Sequence, residues 1–403
     1  MKKYKNDEIL FLSGIYPEQL YGKLTNLKSN KNIQIAADVL QKHIISGLDA
    51  SIPNPIKLVN APYVGVFPRS SNIVRLKRFN FAHCDGAEDI NIPFWNIPVL
   101  RHFSIYHNSK YEIKRWAKNH TGGTVMVYAL TLQNVCRLLY VKRLDRSIKT
   151  CMIVPDLPLY MRMSAGCIYR NAKKIENWLI FRKIDQIDAF VLLTKHMNDI
   201  IRSNNYCVVE GIATNSETTS VENETTKIVL YTGTLDKKYG IVNLLQAFKK
   251  IQDESVRLYI CGVGDSQAAV EEMAQKDNRV CYLGTVSREE VLQLESRATV
   301  LVNPRQNIEA FTRYSFPSKN LEYLSSGVPL VAYKLDGIPD EYDPYIHFVT
   351  DNTVDALREA IERVLNCSQE ERSLLGEKAR QFVLENKNEV VQSRKILDML
   401  ELC

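Results

Sequence analysis

The 403-residue chain has no Cys-x-x-Cys pair and no unbroken apolar stretch approaching a bilayer span. A spanning helix needs about 20 consecutive apolar residues, so any membrane contact is expected to be peripheral. None of the seven histidines has metal-ligand spacing. The nine cysteines are odd in number and scattered, and read as reduced thiols of a cytoplasmic protein. The opening residues Met1-Lys2-Lys3-Tyr4-Lys5-Asn6-Asp7-Glu8 turn to charge before a signal-peptide core can form. No repeat of solenoid period occurs. What is present is ordinary for a globular chain: 45% apolar and 24% charged residues, which excludes disordered and collagenous classes.

The net charge of +6 conceals an asymmetry. Residues 1–213 hold 30 Lys and Arg against 16 Asp and Glu, giving +14. The remainder holds 52 − 30 = 22 basic and 46 − 16 = 30 acidic residues, giving −8. A basic half implies an anionic partner: a membrane surface, a phosphorylated substrate or nucleic acid. No nucleic-acid-binding motif accompanies it, so no nucleic-acid partner is expected.

Short apolar runs alternate with amphipathic stretches throughout. In the first half, 9–12, 56–59, 124–130, 150–154, 189–193 and 207–211 read as strands. Helical spacing covers 33–48, 133–144 and 168–183. Residues 214–226 (TNSETTSVENETT) carry one large apolar side chain and read as a linker, where the charge changes sign. The second half repeats the alternation, with strands at 228–233, 256–261, 280–283, 299–302 and 329–333 and helices between them. The expected class is α/β, with two doubly wound, Rossmann-like domains facing a cleft. The expected boundaries are 1–213, the linker, 227–385, and a C-terminal helix over 386–403 packing back towards the first domain.

Ligands of such sheets bind beyond the carboxyl ends of the strands, which directs attention to four loops of the second half. Gly233-Thr234-Leu235-Asp236-Lys237-Lys238-Tyr239-Gly240 offers backbone approach and positive charge, and equally suits a tight turn with solvated lysines. Gly262-Val263-Gly264-Asp265 reads more simply as a turn with an aspartate cap. Asn303-Pro304-Arg305 precedes Phe316-Pro317-Ser318-Lys319-Asn320-Leu321-Glu322-Tyr323, a helix start suited to an anion. Glu322 lies one turn beyond Lys319 and can accept hydrogen bonds from a ribose diol. The plainer reading of that pair is a surface ion pair. The fourth loop, Asp336-Gly337-Ile338-Pro339, could present amides to a sugar or simply turn the chain.

Taken in order, these loops resemble a known family. The signs are Gly233-Thr234, Leu244-Leu245-x-Ala247-Phe248, the Gly-Val-Gly strand end, Leu283-Gly284-x-Val286, Asn303-Pro304, Phe316 to Tyr323, Ser326-Gly327-Val328-Pro329 and Gly337-Ile338-Pro339. Over residues 228–366 the chain resembles glycosyltransferase family 4, the group 1 glycosyl transferases of GT-B architecture, in the variant that builds bacterial surface polysaccharides. The first half resembles it in order of elements, with the turns at Val154-Pro155-Asp156-Leu157-Pro158 and Val209-Glu210-Gly211. The resemblance implies metal-independent, retaining transfer from a nucleotide-diphosphate sugar, taken as UDP-linked. The chain has no Asp-x-Asp triplet, the metal clamp of the other main glycosyltransferase fold.

By that resemblance Glu322 is the second glutamate of a Glu-x7-Glu motif, which holds the ribose. Gly233, Thr234, Lys237, Gly264, Val286, Arg305, Phe316, Pro317 and Ser318 contact the donor. Lys238 and Lys319 supply charge where the leaving diphosphate gains it. The first glutamate of the motif is Tyr314 here, with Glu309 the nearest acid before it; Thr234 replaces an arginine and Tyr239 a lysine. In the first half Asp156 is expected to orient the acceptor hydroxyl, or equally to cap its turn, with Thr194 and Lys195 also lining the cleft. Residues 69–79 (RSSNIVRLKRF) and 93–106 (PFWNIPVLRHFSIY) mix basic, aromatic and apolar side chains. They suit an anionic leaflet, at the inner face of the plasma membrane, where a lipid-linked or saccharide acceptor would be met. Core packing behind a solvated basic face is the plainer account of either. The alternative functions are a nucleotide-sugar epimerase and a non-catalytic GT-B-fold partner subunit.

Overall fold

The computed structural model describes residues 8–26, 33–120, 122–158, 167–215 and 226–402, with 167–170 described by their backbone. Two compact units result, Met1–Ile212 with Glu389–Cys403, and Ala213–Asn388. Most of the stretch read as a linker lies outside the described residues.

The first unit is built on ten strands: β1 (Ile9–Ser13), β2 (Lys57–Asn60), β3 (Arg75–Leu76), β4 (Phe79–Phe81), β5 (Asp89–Asn91), β6 (Phe94–Trp95), β7 (Thr124–Tyr128), β8 (Lys149–Val154), β9 (Ala189–Leu192) and β10 (Tyr206–Val208). Eight form one sheet in the order β10-β9-β8-β7-β1-β2-β5-β4, parallel except at the β4–β5 edge. The central strands are continuous apolar runs because helices cover both faces. β1 and β7 are buried at every residue. The helix Glu389–Met399 returns to this unit and packs against the helix Ile35–Asp49. Gly47 permits that approach, since a Cβ there would fall 2.0 Å from the Glu389 carbonyl oxygen.

The second unit has six parallel strands: β11 (Lys227–Thr232), β12 (Val256–Cys261), β13 (Val280–Gly284), β14 (Val300–Asn303), β15 (Leu330–Tyr333) and β16 (Ile346–Val349). Their order, β13-β12-β11-β14-β15-β16, reverses direction between β11 and β14. A crevice opens at such a reversal, beyond the carboxyl ends of the two strands, and it is there that dinucleotide-type ligands bind.

Two features depart from the reading of the sequence. Part of the segment 93–106 opens a twenty-residue helix, Leu100–Asn119. Its buried face carries Ser109 and Glu112 beside Ile105, Ile113 and Trp116, which blurs the apolar period. Glu112 is neutralised there by Arg78 at 2.5 Å. The short strands β3 to β6 and the edge strand β16 also carry no plain sequence signal. Two to four residues are too few for alternation to show.

Candidate active site

The loops after β11 and β14 meet at the reversal point of the second sheet. Gly240 takes φ +80°, and a Cβ on it would fall 1.9 Å from the Pro304 carbonyl oxygen. Glycine is therefore required where the two loops touch. Gly262, at φ +127°, is pressed in the same way against Gly233, 1.8 Å from a would-be Cβ to the Gly233 oxygen. Gly264 packs against the Leu235–Asp236 peptide, so its role is close loop packing. Asp265 does not cap the next helix: its carboxylate accepts from the Lys237 amide at 2.7 Å, while Ser266 precedes that helix.

Arg305 sits in this junction, buried to 8% exposure. One terminal nitrogen donates to Ser315 Oγ at 2.7 Å, and the guanidinium lies over the rings of Phe311 (4.7 Å) and Tyr239 (5.7 Å). Its Nε is buried with no partner, and no carboxylate pairs with it among the described residues. Burial draws its pKa below the usual arginine value. Lys238 covers Tyr239 from another side, 4.6 Å from the ring centroid and 3.9 Å from Asp236. Lys237 and Thr234 are exposed in the same loop. The arrangement is an electropositive notch able to take an anion.

A second cluster surrounds the helix Ser318–Ser325. Lys319 Nζ lies 3.0 Å from Glu322 and 3.7 Å from Glu295, and Arg288 reaches Glu322 at 2.8 Å. Nothing in the sequence marks Glu295, which is one more acid on the charged helix Arg288–Arg297. It is fully buried, and one carboxylate oxygen accepts from Thr232 Oγ1 at 2.8 Å while the other has no hydrogen-bond partner. Burial, and then the Glu322 charge, hold its carboxyl above the ordinary range. Tyr323 fastens the same helix to β11 by accepting from the Thr232 amide at 2.8 Å. Phe316 and Pro317 are buried, the phenyl ring 5.4 Å from Tyr342. Their side chains anchor the helix start, which leaves backbone and Ser318 to face a ligand. Val286 is half-buried ahead of the Arg288–Arg297 helix. Glu309 is exposed, and Tyr314 ends the short turn Ala310–Tyr314.

In the first unit Asp156 stands exposed in the turn after β8, with no hydrogen-bond partner among the described residues. The protein around it raises its pKa by desolvation. Thr194 is buried after β9, beside Lys195 in the following turn. A separate knot lies near the amino ends of β2 and β5: His83 bonds Asp89 at 2.6 Å and Asp49 at 2.7 Å, with Cys84 Sγ 3.8 Å from Asp49. Carboxylates engage both ring nitrogens, so the cluster reads as an ion-pair network.

Residues 214–382 match the model of the family described as glycosyl transferases group 1. No curated protein matches the chain in sequence. Among solved structures, sucrose-phosphate synthase from Thermosynechococcus elongatus aligns with TM-score 0.65 and 15% identity over 98% of both chains. The lipopolysaccharide outer core galactosyltransferase WaaB aligns at 0.61 and 13%, covering 98% of this chain and 99% of its own. Anabaena HepE in complex with UDP aligns at 0.62 and 14%, covering 98% and 100%. The fold is GT-B, two Rossmann-like units on parallel sheets. With the group 1 match over residues 214–382 and the GT-B fold over the whole length, the chain is a glycosyltransferase.

Proposed function

We propose that the protein is a retaining, family 4-type transferase moving a sugar from a UDP-linked donor to a lipid-linked or oligosaccharide acceptor of bacterial surface polysaccharide. The observation that carries the donor side is Arg305. A buried guanidinium without a carboxylate partner, at the reversal point of a Rossmann-like sheet, is a cost that a bound diphosphate offsets. In this reading Arg305, Lys238 and the first turn of the Ser318–Ser325 helix hold the diphosphate, and Glu322 the ribose. HepE was solved with UDP, which favours uridine as the base.

The bond between the anomeric carbon and the diphosphate oxygen breaks as the acceptor oxygen bonds to the same face. The acceptor's proton passes to the departing phosphate oxygen, so no strong protein base is required. Lys319 and Arg305 meet the negative charge that grows on the leaving group. Asp156 orients the acceptor hydroxyl. No metal is assigned a step.

The membrane side of the proposal rests on exposed apolar groups. Val99 and Phe103 are each 67% exposed and Leu100 52%. Trp95 is exposed beneath Arg75, whose guanidinium lies 4.9 Å from its ring. Such a lip with flanking basic residues suits an anionic leaflet.

Hydrolysis of UDP-, GDP- and dTDP-sugars by the purified protein tests the donor assignment, with turnover expected for UDP-sugars. Unchanged UDP affinity in Glu322→Ala would sink the site assignment.

A further inference from the structure

A cavity of about 740 Å³ opens at the carboxyl edge of the first unit's sheet. Leu12 and Ser13 at the end of β1 and Tyr128 at the end of β7 form its floor. These strands flank the reversal point of that sheet, the counterpart of the donor crevice in the other unit. Two arginines line it. Arg137, on the helix Leu132–Leu144, is 7% exposed. Its Nε donates to Ser109 Oγ at 3.0 Å and its Nη1 to Asn134 Oδ1 at 2.8 Å, while Nη2 has no partner among the described residues. Arg101 donates one Nη1 hydrogen bond to the Val64 carbonyl at 2.6 Å and rests 5.8 Å from the Phe94 ring centroid. Its remaining N–H groups are likewise free among the described residues.

Neither arginine has a carboxylate partner among the described residues. Glu176, the cavity's acidic lining residue, is already bonded to Lys173 at 2.7 Å. Burial lowers the Arg137 pKa to about 10, with tyrosines the nearest groups opposing the shift. A guanidinium is costly to bury without a counter-charge, and its planar fork matches phosphate oxygens. An uncharged sugar would use acceptors as well as donors, whereas the two arginines present donors alone. Phe103 both lines the cavity and projects into solvent, so an apolar chain leaving the cavity would cross the exposed lip.

We propose that this cavity binds the phosphoryl group of a phosphorylated acceptor, with Arg101 and Arg137 on its oxygens. The inference rests on the reading of the first unit as the acceptor side. A lipid-linked phosphate and a free sugar phosphate share this chemistry.

The test is calorimetric binding to the full chain with UDP at saturation, so that the donor site is closed to other phosphates. The probes are geranyl diphosphate, glucose 1-phosphate and uncharged octyl glucoside. The phosphorylated probes are expected to bind roughly tenfold or more tightly than octyl glucoside, the margin of a charge-assisted contact. Arg101→Gln and Arg137→Gln should each abolish that margin and leave UDP affinity unchanged. Preference for geranyl diphosphate identifies a lipid source, and parity with glucose 1-phosphate a soluble one. Because Arg137→Gln can disturb folding, Arg137→Met and Arg101→Gln, each with a melting curve, carry the same test. Equal affinity for charged and uncharged probes, or phosphate binding that survives in folded variants at both positions, would overturn the proposal. Absence of UDP binding by the unaltered chain would instead defeat the transferase reading, and is read in a separate titration.

Discussion

His83 shows how far a single side chain can be moved by its neighbours. Burial alone would lower its pKa, but hydrogen bonds to Asp49 and Asp89 and their charges outweigh it and raise it to about 9. The imidazolium then stabilises the fold fully below its ordinary value of 6.5, and that contribution is lost as pH rises through about 9. Replacing His83 by Gln should therefore cost on the order of 2 kcal/mol at pH 6 and much less at pH 10, read from urea melts. Glu295 gives a pH dependence of the same direction from a group of opposite charge. An acid whose carboxyl is held above its ordinary range weakens the fold as pH rises from that range. Glu295→Gln should raise the melting temperature at pH 8 more than at pH 5, and a uniform change would refute the assignment. At the notch proposed to bind the donor, Arg305→Met keeps an apolar stem to pack on Phe311 and removes the charge. UDP affinity should fall roughly ten- to a hundredfold, the worth of a charge-assisted hydrogen bond. Lys319 and Glu322 could be named from the sequence because one helical turn joins them. Glu295 could not, since only the tertiary fold turns its side of a charged helix inward.

Elements differ in how plainly they are written. The strands β11, β12, β14 and β15 are short, mostly apolar runs separated by helical stretches, and their parallel class could be read directly. The helix Leu100–Asn119 could not, because a buried Glu112 and Ser109 interrupt its apolar face and are satisfied by residues distant in sequence. The loop junction at Gly240 is legible as a glycine but not as a contact. Gly240→Val should destabilise the second unit by about 1–3 kcal/mol, since it adds a strained backbone to a clash with Pro304. It should weaken UDP binding as well, and a stable variant with full affinity would show that the loops do not need this contact. On the exposed lip, Phe103→Ser with Leu100→Ser should reduce flotation with anionic liposomes at low salt without altering the melting temperature. Undiminished flotation would remove the lip from the membrane reading.

For the whole molecule, the chain does not finish where its second unit does. Residues 389–402 lie in the first unit, and Ile396, Leu397, Leu400 and Leu402 are each at most 2% exposed there. Burying each such side chain is worth about 1.5–3 kcal/mol. Truncation after Asn388 should thus lower the unfolding midpoint of the first unit and leave that of the second unchanged. Hydrogen exchange followed by mass spectrometry would separate the two; equal loss of protection in both units would contradict the expectation. The class of fold follows from the period of apolar residues along the chain, and the donor loops of the group 1 resemblance follow from short spacings on single elements. Both are local properties, so both can be read before any folding is known. Which charges stand without partners is a different matter, settled in three dimensions. Arg101 and Arg137 are ordinary arginines in the sequence and Arg305 is marked there only by its loop, and whether a carboxylate lies beside each depends on which distant elements the sheets bring together.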